Sequence, residues 1–213
     1  VAIFWLTRRT LERRHQRIVA DLKERIKELI IAITAKTRDA NTDDITGISN
    51  SRAFQEQLPL EFERARTRRK PLMVMVIDLD NFKWVNDKDP SLGDDVLREF
   101  ATNLCEQCRG TDVVFRYKPG DEFLLMAPET NADPGGRGFA NRLRNFFKDY
   151  EFRDTDGSYF SITFSAGLAE AMPADDPSDT CTQLVARAEA ALRRAKQKRN
   201  AIEVFKSELD ERR

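Results

Sequence analysis

Apolar residues run without interruption from Leu72 to Ile77, as LMVMVI, and then give way to Asp78-Leu79-Asp80. Such a run predicts a strand over Leu72–Asp78 that is covered on both faces. A second apolar run, 112–117, ends near the turn dipeptide Pro119-Gly120. Two adjacent acids follow, Asp121 and Glu122, and a third run covers 122–127. That order predicts a β-hairpin with acid at its bend. The remaining pattern predicts helices over 51–68, 92–108, 133–149 and 180–198, with strands over 159–168 and 201–205. Asn50 or Ser51 is placed to cap the helix at 51–68. Helices alternating with strands, one hairpin among them, predict an α/β or α+β sheet with helices packed against it.

Ahead of this region, Leu11 to about Ala40 holds no Gly or Pro, and Val19, Leu22, Ile26, Leu29 and Ile33 recur at spacings of three and four. With β-branched residues at one seam position and leucine at the other, the seam favours two parallel strands. We read residues 1–40 as a membrane-proximal stub and dimerising signalling helix, and 41–213 as the main domain. The loop DANTDDITGISN separates them. The opening VAIFWL is too short to span a bilayer, which needs about 20 residues. Followed by Arg8, Arg9, Arg13, Arg14 and Arg17, it reads as the tail of a membrane helix. The expected setting is a cytoplasmic domain attached to the inner membrane upstream of residue 1.

Composition narrows the function. Lys+Arg and Asp+Glu balance at 36 each, which argues against a general nucleic-acid binder. The three cysteines suggest no disulfide framework. Cys105 and Cys108 form a lone CxxC within a predicted helix, a weak signal for zinc or redox chemistry. The one histidine, His15, lies outside the main domain, so histidine catalysis is not expected. Strand ends that deliver several carboxylates to one place suit a hard, oxygen-seeking cation, and such a cation can bring in a nucleotide triphosphate.

Five segments together resemble the GGDEF family of diguanylate cyclases, over roughly residues 43–205. They are DDITGISNSRAF from Asp43, DLDNFKWVNDKDPSLGDDVL from Asp78, RYKPGDEF from Arg116, FSAGLA at 164–169 and AEAALRRAKQKRN from Ala188. The resemblance implies a palm-like βαββαβ domain with a central, mainly antiparallel sheet. It implies the condensation of two GTP into cyclic di-GMP with release of two pyrophosphates, on a homodimer and with Mg²⁺ or Mn²⁺ as cofactor.

By the same resemblance Asp78, the Leu79 carbonyl, Asp121 and Glu122 hold metal, and Asp121 also stands where the family's proposed general base stands. Asn86 and Asp94 would read the guanine edge. Phe82, largely through its backbone, with Lys83, Gly120, Lys196 and Arg199, would contact the phosphates. Arg109 and Asp112 form the RxxD pattern of a product-binding inhibitory site for cyclic di-GMP, which Arg142 would complete. Arginine suits that role because its planar fork grips phosphate and guanine edges.

The chain also departs from the family pattern. Tyr117 is followed by Lys118-Pro119-Gly120 rather than Gly-Gly, so the hairpin is one residue longer. Pro119 has no N–H to donate to phosphate. The loop between Asn86 and Asp94 is one residue shorter, the Gly expected after Lys196 is absent, and Arg193 stands where a tyrosine is expected. The altered hairpin supports a rival reading, a degenerate domain that binds GTP or cyclic di-GMP as a sensor without turnover; a purely structural relay and acceptance of ATP beside GTP are further alternatives.

Overall fold

The uninterrupted apolar run becomes the middle of the sheet. Strand β2 (Leu72–Leu79) is flanked on one side by β4 (Glu122–Pro128) and on the other by β7 (Phe164–Ala171), both antiparallel to it. The six-stranded order is β1-β3-β4-β2-β7-β8, with β1 (Ser49–Asn50), β3 (Val113–Lys118) and β8 (Ile202–Val204). The outer pairs β1–β3 and β7–β8 are parallel, so the sheet is mixed around an antiparallel centre. The structure, a computed structural model, describes residues 2–206, without the side chains of 2–14, 33–35, 38 and 39.

Alternation along β2 divides the core into two layers. Met73, Met75, Ile77 and Leu79 face helices α4 (Pro90–Gln107) and α5 (Arg137–Asp149), where Phe100 and Phe147 stack at 4.3 Å between ring centroids. Leu72, Val74 and Val76 face helices α2 (Ser51–Arg68) and α6 (Cys181–Lys198). Of the two predicted caps for α2 it is Asn50 that serves, its side chain accepting from Ala53 N at 3.1 Å. Helix α6 starts on a capping box, Thr180 with Gln183, and its inner face is built of Ala188, Ala191 and Ala195.

Two expectations need correction. The predicted strand 159–168 is broken. Tyr159–Phe160 (β6) pairs instead with Phe152–Arg153 (β5) in a separate two-stranded sheet, and β7 begins at Phe164. The break falls where Thr163 is drawn to Asp80: its carbonyl accepts from Asp80 N at 2.8 Å and its hydroxyl donates to Asp80 Oδ2 at 2.9 Å. A short helix, α3 (Phe82–Lys88), precedes α4 where the pattern predicted no helix. The two stay separate because Asp89 caps α4, its carboxylate accepting from Ser91 N at 2.8 Å, with Pro90 at the first helical position.

The described residues divide into two compact units, one up to Asn41 and one from Thr42 on. Within the first, α1 (Ala2–Asn41) leaves Leu22, Ile26 and Leu29 of the predicted seam exposed, with Ile18 beside them, while Val19 is half-buried. Ile33, Trp5 and the arginine cluster up to Arg14 lie outside the described side chains. No helix among the described residues is long and apolar enough to cross a membrane.

Candidate active site

The register of the antiparallel centre brings the predicted acids together. Asp78, the last polar residue of β2, lies directly opposite Glu122, the first residue of β4. One step further on, Leu79 N donates to Asp121 O at 3.3 Å. Burial, then the charges of Asp121 and Glu122, push the Asp78 carboxyl up to about 6, against the lowering effect of Lys196. Lys196, from α6, forms an ion pair with Asp78, donates to the Leu79 carbonyl at 3.2 Å and lies 3.4 Å from Asp80 Oδ1.

Asp80, the acid that follows β2, already has its oxygens taken. It is buried and fully engaged, accepting from the Thr163 and Ser165 hydroxyls at 2.9 and 2.8 Å and from Asn200 N at 2.8 Å. Its work is to hold the start of β7 and the end of α6 around the strand end.

The hairpin absorbs its extra residue as a bulge. Arg116 pairs with Phe123 and Lys118 with Glu122, so the register slips at Tyr117. Gly120 then turns the chain at φ 105°, a conformation that favours glycine. Lys118 Nζ lies 3.1 Å from Glu122 Oε2, an ionic contact, and 2.9 Å from Glu189 Oε1 on α6. The Tyr117 hydroxyl donates to the same Glu189 oxygen at 3.0 Å. Burial pushes the Lys118 ammonium down, but its contacts to Glu189 and Glu122 outweigh this and leave it above the ordinary lysine value.

The donor set suits a hard divalent cation in kind: a carboxylate and a carbonyl at the end of β2, a carboxylate opposite, and a lysine ammonium already drawn to the first two. Glu122 Oε2, buried and without a hydrogen bond, has the Lys118 ammonium 3.1 Å away as its counter-charge. Yet among the described residues no three His, Cys, Asp or Glu side chains come close enough to hold a metal by themselves. Carbonyl and substrate oxygens would have to complete the coordination.

The other predicted residues occupy two regions. Phe82 is buried and Lys83 is exposed. Asn86 reaches back over α4: a Cβ built on Gly93 would lie 2.7 Å from its Oδ1, so Gly93 leaves room for Asn86 beside Asp94. Arg199 is exposed at the end of α6, at φ 52°. On the far side of the hairpin strands, Arg109, Asp112 and Arg142 line one cavity of about 190 Å³, together with Glu129, Asn131 and Phe139. Arg109 N donates to Asp112 Oδ2 at 2.9 Å, and the Arg142 guanidinium lies 5.6 Å from the centre of the Phe139 ring. Arg109 also borders a second cavity, of about 480 Å³, with Arg64 and Arg68 of α2.

Sequence reasoning gave no role to Arg116 or Glu189. Arg116 is buried with its Nε and Nη1 unpaired, its guanidinium 4.9 Å from the centre of the Phe123 ring. Burial lowers its pKa, while Asp43, Asp121 and Asp94 act to keep it charged. A charge set inside an apolar strand was the available signal. Glu189 carried none, since it reads as one polar residue on an amphipathic helix. The Cys108 thiol, pushed up to about 12 by burial, is poorly suited to thiolate chemistry.

Comparison with known proteins agrees with this arrangement. Residues 40–201 match the family described as "Diguanylate cyclase, GGDEF domain". The response regulator PleD of Caulobacter vibrioides is 34% identical over 166 residues, covering 76% of this chain and 36% of PleD. The diguanylate cyclase DgcP of Pseudomonas aeruginosa is 35% identical over 167 residues, covering 78% of this chain and 24% of DgcP. The chain thus spans about a third or less of these relatives' length. The coiled coil and GGDEF domain of DgcB from Caulobacter crescentus, solved in complex with c-di-GMP, superposes with a TM-score of 0.78 at 25% identity. The match covers 89% of this chain and 98% of that one. With its motifs gathered at one end of a shared sheet and matched over most of its length, this chain belongs to the GGDEF family of diguanylate cyclase domains.

Proposed function

We propose that the chain condenses two GTP into cyclic di-GMP, working as a dimer in which each domain holds one nucleotide. The observation that carries this reading is the pairing of Asp78 with Glu122 beside Asp121 and below Lys196. In each half-reaction a 3′-hydroxyl oxygen bonds to the α-phosphorus of the other GTP, the α–β anhydride bond breaks and pyrophosphate leaves. Asp121 takes the hydroxyl proton. Asn86 and Asp94 select guanine, since a carboxylate accepts from the N1–H and the exocyclic amine, which adenine does not offer together. Phe82, Lys83, Gly120, Lys196 and Arg199 orient the phosphates. Mg²⁺ or Mn²⁺, held by Asp78, the Leu79 carbonyl, Asp121 and Glu122, would supply charge neutralisation and activation of the hydroxyl. The exposed Ile18, Leu22, Ile26 and Leu29 of α1 support pairing of two chains through that helix.

The cavity holding Arg109, Asp112 and Arg142 supports product inhibition by cyclic di-GMP. Purified dimer given GTP and Mg²⁺ should form cyclic di-GMP. Asp121→Ala should abolish product while nucleotide binding partly survives, and Arg109→Ala should relieve inhibition by added product. A second reading, a sensor that binds GTP or cyclic di-GMP without turnover, is favoured by Pro119 and by the lysine contact on Glu122. Nucleotide binding by calorimetry with no product formed would select it.

A further inference from the structure

The two acids that face each other at the strand end each carry a lysine, and the two lysines are held differently. All of Lys196's partners lie on the metal side: the Asp78 carboxylate, the Leu79 carbonyl and Asp80. Those three oxygens match the three N–H bonds of an ammonium, so Lys196 in this state has none left for phosphate. A divalent ion arriving on Asp78 and Leu79 takes the same oxygens. Asp80 keeps Thr163, Ser165 and Asn200 N when the ammonium leaves. Lys196 is therefore a placeholder that a stronger cation displaces toward the phosphates.

Lys118, its side chain 45% exposed, is anchored outside the metal side. It stands 3.1 Å from Glu122 and is tied from behind to Glu189 at 2.9 Å, an oxygen that Tyr117 also holds at 3.0 Å. Its ammonium lies 4.9 Å from the centre of the Tyr117 ring, a further favourable contact. Neither Glu189 nor Tyr117 belongs to the metal-ligand set, so metal binding does not loosen this anchor. A divalent ion placed on Glu122 alone would sit against the Lys118 ammonium.

We propose that Lys118 is the resident cation of the Glu122 side, so that the domain takes one divalent ion with its nucleotide, on the Asp78–Leu79 side. The inference rests on the nucleotide-binding reading above and adds the metal count to it. Lys118 belongs to the segment that lengthens the hairpin, and the bulge at Tyr117 sets it opposite Glu122.

The test counts Mn²⁺ by electron paramagnetic resonance titration of the full chain, saturated with a GTP analogue whose α–β bridge cannot be cleaved. Wild type binds one Mn²⁺ per bound nucleotide, and Lys118→Arg keeps one. Lys118→Met binds two. Glu189→Gln, which unties Lys118 from behind, gains a weaker second ion and decides the matter should Lys118→Met fail to fold. Two ions of similar affinity in wild type overturn the proposal. So does a single ion in a Lys118→Met protein with an unchanged melting temperature. Failure of the analogue to bind wild type overturns the nucleotide reading and this proposal together, whereas analogue binding with the wrong metal count overturns the proposal alone.

Discussion

At Gly167 the sheet and the backbone of α6 are in close contact, and replacing it tests how the site is held. A Cβ on Gly167 would lie 2.0 Å from Leu192 N, 2.2 Å from Ala188 O and 2.7 Å from Ala191 C. All three are backbone atoms of α6, so no flexible side chain can swing aside. Restoring a 3.4 Å contact at Leu192 N requires the helix to retreat by about 1.4 Å. Overpacking usually costs about 1–3 kcal/mol where side chains can adjust. Here only backbone can move, so Gly167→Ala should cost about 3 kcal/mol or more, out of a total stability on the order of 5–15 kcal/mol. At about 2–4 °C per kcal/mol for a domain of this size, the melting temperature should fall by about 6–12 °C.

The site should suffer as well, because Glu189 and Lys196 both ride on α6. Urea unfolding gives the stability change, and calorimetry with Mg²⁺ and GTP gives the binding change. Gly138→Ala is the control: its Cβ meets nothing within 4 Å, and in helix α5 it should stabilise by about 0.5–1 kcal/mol. A loss below about 1 kcal/mol for Gly167→Ala would refute the argument, since α6 would not be seated on that glycine.

Gly93→Ala should act on specificity more than on stability. Its Cβ would displace the Asn86 side-chain oxygen, a yielding atom, and weaken GTP binding by about 1 kcal/mol, roughly fivefold. Comparison of KM for GTP and ATP reads this directly. Asp80→Ala should cost about 3 kcal/mol in urea unfolding, because it removes a buried carboxylate that serves the Thr163 and Ser165 hydroxyls and Asn200 N. Asp154 gives a pH dependence. The Lys88 ammonium, with help from Thr155, holds its carboxyl below the ordinary 3.8. Its contribution to stability is therefore present above that value and lost as pH falls through its lowered range, and Asp154→Asn should remove this part of the acid slope in thermal melts.

Much of the fold was legible because the strongest patterns coincide with the most buried elements. The apolar run at 72–77 could only be an interior strand, and the Pro-Gly bend forced a hairpin. The break in 159–168 was not legible, because the residue that makes it, Asp80, is remote in sequence and nothing in the local pattern ties it to Thr163. Only the folded sheet reveals that Asp80 spends its oxygens on Thr163, Ser165 and Asn200. Arg116 was hidden in the same way: its motif was visible, but its unpaired burial against Phe123 follows from strand register. The resemblance named the site residues. Periodicity alone would have found the acids without saying that Asp78 faces Glu122.

Two periods set the charges of this site. Along β2 and β4 the two-residue repeat puts Asp78 and Glu122 on the same face as Val76 and Leu124, the face that α6 covers. Along α6 the helical repeat brings Glu189 and Lys196, seven residues apart, back to one side at about 10 Å separation. The helix thus presents a cation over Asp78 and an anion over Lys118, the reverse of the charges below it. Lengthening the hairpin by one residue would otherwise have left Lys118 facing Glu122 with nothing to fix it. Glu189 makes the insertion a fixed part of the site, which is why the departure at Lys118-Pro119 is better read as a change in how charge is supplied there than as decay of the motif.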